Sequence, residues 1–285
     1  EKACRLIAEA AGQGAQLIVF PEGFVPAYPD WVWLVPPGEQ GMLDELYAEL
    51  VANSVSIPDS ATQRLCAAAA KAKAYVAIGL SERNRGASNA SLYNSLLYIN
   101  PNGEIMGVHR KLLPTSGERM VWAQGDGSTL ATYETPLGII SGLICWENYM
   151  PLARSALYAW GTQIYLAPTW DRGDLWLATM RHIAKEGGLY VASCCMTLHL
   201  DDIPDRLPFK QLYAPGTEWI NRGQSCIVNP RGELIAGPVA GREEILYAEV
   251  HLSQVHAAKR MFDVAGHYAR PDVFRLEVNR NTYPI

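Results

Sequence analysis

The sequence has no stretch of about 18 consecutive apolar residues, so no membrane-spanning helix and no membrane partner are expected. It has no run of basic residues, and its net charge is −5. A nucleic-acid partner is therefore not expected, because such a protein needs a concentrated basic face to displace counterions from phosphates. The cysteines are Cys4, Cys66, Cys145, Cys194, Cys195 and Cys226, and they form no CxxC and no Cys/His spacing of a zinc site. Scattered along 285 residues, they read as reduced thiols of a reducing, cytoplasm-like compartment, and most of them as core filler. A redox role for adjacent Cys194 and Cys195 is a poor fit, since neighbouring cysteines rarely reach disulfide geometry without strain. The opening residues Glu1 to Ala11 carry charges on a helical pattern and lack the layout of a signal peptide.

What is present is a patterned α/β chain. Hydrophobic residues make up 49% and charged residues 19%, enough apolar material for a substantial core. Large α/β domains reach this length as one unit, and residues 1–285 are read as a single domain. Glu1 to Gly12 is an amphipathic helix stopped by Gly12 and Gly14, and Gln16 to Phe20 is a buried strand ended by Pro21. A helix over Pro58 to Lys73 has Asp59 or Ser60 near its start, and the strand Tyr75 to Leu80 follows. Further strands are expected at Ile139 to Ile144, Ile164 to Ala167, Leu189 to Cys194 and Leu246 to Val250. Helices are expected from about Pro151, over Leu175 to Glu186, and near Ser253 to Phe262. Two hairpins share an NPxGE signature, at Asn100 to Glu104 and at Asn229 to Glu233, a weak internal echo. Pro29 to Ser56 and Leu200 to Arg222 resist assignment, and long loops of this kind are usually functional.

Three reactive side chains stand beside strand-like runs: Glu22 after QLIVFP, Lys111 after His109-Arg110, and Cys145 after GIISGLI. Ligands of α/β sheets bind beyond the carboxyl ends of strands, so residues far apart in sequence can meet there. A thiol so placed becomes a nucleophile once deprotonated. A buried Glu beside a Lys offers a base together with a cation for developing negative charge. Taken singly, each has a plainer reading: core filler for Cys145, a helix cap for Glu22, a solvated face for Lys111.

Jointly, their surroundings are distinctive. LIVFPEGFVPAYP (17–29), HRKLLPTSGERMVWAQGDGS (109–128), LICWENYMPLAR (143–154) and DVAGHYARPDVF (263–274) resemble the nitrilase branch of the carbon–nitrogen hydrolase superfamily. The resemblance spans nearly the whole chain. It implies a four-layer αββα sandwich, a Glu–Lys–Cys catalytic set on Glu22, Lys111 and Cys145, and a second glutamate at Glu118. Glu118 would orient Lys111 or the substrate. It implies hydrolysis of a small nitrile to acid and ammonia through a thioimidate and a thioester, with no metal and no organic cofactor. It also implies homo-oligomers built from dimers through outer helices, in many relatives extended into spiral filaments. Tyr28, Trp122 and Trp146 match positions that line the pocket in relatives, and Trp170 in APTWD is a further candidate. Glu147 is expected to hold backbone, and His267 to serve structure or assembly. Relatives open with a β-strand before the first helix, whereas this sequence opens inside that helix, so a seam or exposed edge is expected. Rival readings are an amidase or carbamoylase with the same residues, a cyanide-degrading relative, and a non-catalytic filament-forming scaffold.

Overall fold

A computed structural model describes residues 1–86 and 88–282. The first sheet contains β1 (Leu17–Val19), β2 (Tyr75–Arg83), β3 (Leu92–Ile99) and β4 (Ile105–Arg110) in that order, with β5 (Trp122–Ala123) also paired to β3. β1 runs parallel to β2, whereas β3 runs antiparallel to both β2 and β4. The second sheet uses β6 (Tyr133–Thr135), β7 (Gly138–Gly142), β8 (Ile164–Leu166) and β9 (Tyr190–Ser193). A short ribbon of β10 (Thr197–His199) and β11 (Trp219–Arg222) follows, then β12 (Ser225–Val228) and β13 (Leu234–Val239). The second sheet's order is β13-β12-β9-β8-β7-β6, parallel through β7, β8 and β9.

The period-two alternation of strands builds the layers. Val76 and Ile78 of β2 and Leu97 and Ile99 of β3 face outward. There they pack against Ile7 of α1 (Lys2–Gly12) and Leu65 of α3 (Ser60–Ala72), which flank α2 (Gln40–Asn53) in sequence. Ala77, Leu96 and Tyr98, one residue out of phase, meet Ile140, Ile164 and Leu166 of the second sheet. On that sheet's other face, Tyr165 and Val191 are covered by Leu157 of α4 (Pro151–Ala159) and by Trp176 and Met180 of α5 (Asp174–Gly187). These three interfaces make the four-layer αββα sandwich. α6 (Leu252–Lys259) lies beyond the second sheet's last strand in sequence.

Local chemistry explains the ends of these elements. Asp59 caps α3, accepting the Thr62 N–H at 2.8 Å, while the Asp59 N–H donates to Thr62 Oγ1 at 2.7 Å. The two NPxGE turns close in the same way. Asn100 Oδ1 accepts from the N–H groups of Asn102 and Glu104, and Asn229 Oδ1 accepts from those of Arg231 and Glu233. One turn joins β3 to β4 and the other β12 to β13, so the echo in the sequence is one hairpin design used once per sheet.

Two expectations need correction. Pro29 to Ser56 is not all loop, because it contains the 14-residue α2. Leu43, Leu46 and Leu50, spaced by three and four, pack toward Tyr28, Trp122 and Trp170. Leu246 to Val250 forms no strand and joins no ladder among the described residues. β1 pairs with β2, and a groove of about 1610 Å³ is lined by Leu17 to Val19 and by Leu246 to Val250 among others. A strand is stabilised by a neighbour's N–H and C=O groups, and this segment has no ladder partner among the described residues.

Candidate active site

Glu22, Lys111 and Cys145 each lie just past the end of a strand. After β1 the chain turns at Pro21 and lays Glu22 over Gly79 of β2. A Cβ at Gly79 would stand 2.2 Å from the Pro21 carbonyl oxygen and 2.7 Å from Glu22 Cα, so only glycine lets this turn sit so close. Lys111 follows β4, and its N–H donates to the Asn94 carbonyl at 2.8 Å, prolonging the pairing with β3. Beyond β7, the Leu143 N–H donates to the Leu166 carbonyl and the Cys145 N–H to the Pro168 carbonyl. At Cys145 the backbone turns with φ +51°, the left-handed region that L-residues occupy at a cost of about 1–2 kcal/mol. Strain of this kind gathers at functional sites, here aiming the thiol out of the strand direction.

All four polar candidates are buried, with Glu22 at 0%, Lys111 and Glu118 at 1% and Cys145 at 4% exposure. Lys111 Nζ donates at 2.7 Å to Glu22 Oε1 and at 2.7 Å to Glu118 Oε2. Glu22 also accepts from Asn94 Nδ2 at 2.7 Å and from the Trp170 N–H at 2.8 Å. Glu118 is held by the Thr115 N–H and by the Tyr28 hydroxyl, each at 2.7 Å. The resting cluster thus carries two carboxylates and one ammonium.

That imbalance sets the proton affinities. Burial raises the Glu22 carboxyl above its ordinary value; Lys111 offsets part of this, and Glu118 adds to the rise. Burial raises the Cys145 thiol strongly, Glu22 pushes it further, and Lys111 together with the Thr169 hydrogen bond pulls it back. Burial alone would lower Lys111, but the charges of Glu22 and Glu118 outweigh it and keep the ammonium charged. A neutral thiol beside a carboxylate of raised proton affinity and a fixed cation is arranged for proton transfer during attack, without a free thiolate at rest.

The aromatic candidates divide. Tyr28, Trp122 and Trp170 are buried together: Tyr28 stacks on Trp170 at 4.3 Å between ring centres and meets Trp122 edge-on at 5.7 Å. Ile203 and Phe209, from the Leu200 to Arg222 segment, pack into this cluster. Trp146 is different. Its indole is 51% exposed and donates to Asp171 Oδ2 at 2.8 Å. His267 is exposed against Tyr268, with no contact to the cluster among the described residues. Among these residues, no group of three or more His, Cys, Asp or Glu side chains is arranged to hold a metal ion. No helix among them is long and apolar enough to cross a membrane.

Sequence reading missed Asn94 and Thr169. Asn94 is a polar residue within the buried strand LYNSLLYI, in phase with Leu96 and Tyr98, a position that demands a hydrogen-bond partner. Glu147 holds backbone as expected, accepting the N–H groups of Ile144 and Leu112 at 2.7 Å each. It therefore ties the residue before Cys145 to the residue after Lys111. His109 Nε2 lies 3.0 Å from the same carboxylate.

This pair has a pH signature. Burial lowers His109, but the Glu147 charge outweighs it and holds the imidazole above its ordinary 6.5. Burial raises Glu147, while His109 and the two N–H donors take it below its ordinary 4.5. The His109 contribution to stability is complete below pH 6.5 and is lost as pH rises through the higher folded value. The Glu147 contribution is present above pH 4.5 and is lost as pH falls through its lower folded value. His109→Gln is expected to flatten the fall in melting temperature as pH rises above 6.5. Parallel melting curves for parent and variant would contradict it.

A carbon–nitrogen hydrolase family model matches residues 1–260. The chain belongs to the carbon–nitrogen hydrolase family. This hydrolase is 43% identical to the aliphatic nitrilase of Sinorhizobium fredii (strain HH103) over 98% of its own length and 89% of that protein's. It is 42% identical to the bifunctional nitrilase/nitrile hydratase NIT4B of Nicotiana tabacum, covering 98% and 80%. Its fold matches that of a carbon–nitrogen hydrolase from Helicobacter pylori G27 with a TM-score of 0.71, over 96% and 90% of the two chains at 22% identity.

Proposed function

We propose that this hydrolase converts a nitrile to the carboxylic acid and ammonia, with Cys145 as nucleophile, Glu22 as base and Lys111 as the cation for developing negative charge. Glu118 holds Lys111 in place. One observation carries the reading: a buried thiol on a strained turn lies within the electrostatic reach of a Glu22–Lys111–Glu118 chain closed by 2.7 Å bonds. The relatives named as nitrilases, at 42–43% identity over nearly the full chain, favour a nitrile over an amide.

Glu22 takes the thiol proton as Sγ bonds to the nitrile carbon. One electron pair of the triple bond moves to nitrogen, which takes the proton from Glu22 and gives the thioimidate, leaving Glu22 free to act as base again. The Lys111 ammonium has three donors, and Glu22 and Glu118 take two of them. The third serves charge forming on the substrate. Water deprotonated by Glu22 adds to carbon, ammonia leaves with the C–N electron pair, and a thioester remains. A second water releases the acid and restores the thiol. Tyr28, Trp122 and Trp170 give the substrate an apolar wall, and Trp146 guards the outer rim of the site.

Homo-oligomer formation belongs to the same proposal. The outward faces of α4 and α5 expose Leu152 at 68% and Leu175 at 82%, apolar surface suited to a second copy. The cysteines are all free, which fits a reducing compartment.

The test is ammonia release from aliphatic and aromatic nitriles and cyanide, set against matching amides and carbamoyl compounds. Release from organic nitriles with acid as product is expected. Turnover of amides or carbamoyl compounds alone would move the chain to another branch of its family, and release from cyanide alone would make it a cyanide-degrading enzyme. No turnover at all would leave a scaffold.

A further inference from the structure

Thr169 is fully buried just past β8, one residue before Trp170. Its Oγ1 donates to Cys145 Sγ at 3.2 Å and accepts the Asp171 N–H at 2.8 Å. A hydroxyl has one proton and two lone pairs. With the Asp171 N–H on a lone pair, the proton is turned toward sulfur. The backbone around Thr169 is fixed as well, because its N–H donates to the Cys194 carbonyl at 2.9 Å and Thr169 bridges Cys195. Asp171 is tied in turn to Trp146, the residue after the nucleophile.

We infer that the Thr169 hydroxyl is a catalytic hydrogen-bond donor to Cys145 Sγ, and that it sets how much amide this enzyme releases alongside acid. This rests on the nitrile-hydrolysing reading above. The donor acts at two stages. As Sγ–H gives its proton to Glu22 and the S–C bond forms, it stabilises negative charge on sulfur. After water adds, the tetrahedral carbon carries sulfur, hydroxyl and amino groups. When the protonated amino group leaves with the C–N pair, ammonia departs and the thioester goes on to acid. When the C–S pair returns to sulfur instead, the intact amide departs and the thiolate regains its proton. A donor on sulfur favours this second route, because it stabilises the leaving thiolate.

Thr169→Val keeps the shape and removes the proton, and Thr169→Ser keeps the proton. Two readouts apply to the full chain: iodoacetamide labelling of the Cys145 peptide against pH, and the acid-to-amide ratio from a nitrile. Thr169→Val is expected to slow Cys145 labelling about 10-fold at pH 8, with its midpoint moved to higher pH, and to lower the amide share. Thr169→Ser is expected to return both toward the parent. Labelling of the valine variant with the parent's pH dependence would overturn the donor. A parent that releases no amide, or a valine variant with an unchanged or larger amide share, would overturn control of the branch. Loss of the nitrile reading is recognised separately, since a parent inactive on nitriles still reports the hydrogen bond through labelling.

Discussion

Cys145→Ala is expected to lower nitrile turnover by at least about 10⁴-fold while leaving the melting temperature close to the parent's. The proposed route runs through a covalent bond to Cys145 Sγ, and the Glu22–Lys111–Glu118 cluster is built around that thiol. Cys226 lies within β12, and Cys195 Sγ donates to the Asp171 carbonyl. The substitution removes one buried sulfur and keeps a Cβ, so the left-handed turn costs alanine about what it costs cysteine. Cys145→Ser should be almost as damaging, since a hydroxyl in this buried, net-negative site ionises far less readily than a thiol. Turnover retained in the alanine variant at a tenth of the parent rate or more would remove Cys145 from the mechanism.

Lys111→Met is expected to cost both activity and stability, and the two losses have separate causes. The ammonium is the cation shared by two buried carboxylates, and methionine of similar length removes it without opening a large cavity. Leaving buried charge uncompensated costs about 3–5 kcal/mol. Glu22, already raised by burial, would lose the cation that offsets this rise and would be pushed further up. Turnover should fall by about 10³-fold or more. Adding Glu118→Gln to Lys111→Met should recover part of the stability, because one buried charge is gone, yet leave activity low. Denaturant unfolding measures the first effect and ammonia release the second. A Lys111→Met variant as stable as the parent would contradict the shared-cation account.

The parts of this site that were legible in the sequence are those fixed by local pattern. QLIVFPE, the strand before Lys111 and the run ending at Cys145 each lead to a reactive residue; Lys111 meets Glu22, and Thr169 on Cys145 adjoins Trp170, whose N–H holds Glu22. Four-layer packing was legible through the resemblance of the motifs, and strand alternation explains it afterwards. Asn94 and Thr169 stayed hidden because their partners are distant in sequence. Asn94 reaches Glu22 across 72 residues, and Thr169 reaches Cys145 across 24. The helix α2 carried its signal in the spacing of Leu43, Leu46 and Leu50, masked by the Pro36-Pro37-Gly38 turn before it. Leu246 to Val250 has strand composition, but a ladder also needs an edge within reach, and no local pattern reports that. Trp146, singled out from its place beside Cys145, is half exposed and tied to Asp171, a partner 25 residues away that no local pattern reports.

The most direct measurement is mass spectrometry of the Cys145 peptide after acid quenching during turnover of a nitrile. The account predicts an added mass equal to the acyl group of the product acid, carried by that peptide and absent from the Cys145→Ala variant. Steady turnover with no adduct trapped on Cys145 at any quench time, or an adduct on another residue, would contradict a covalent route through this thiol.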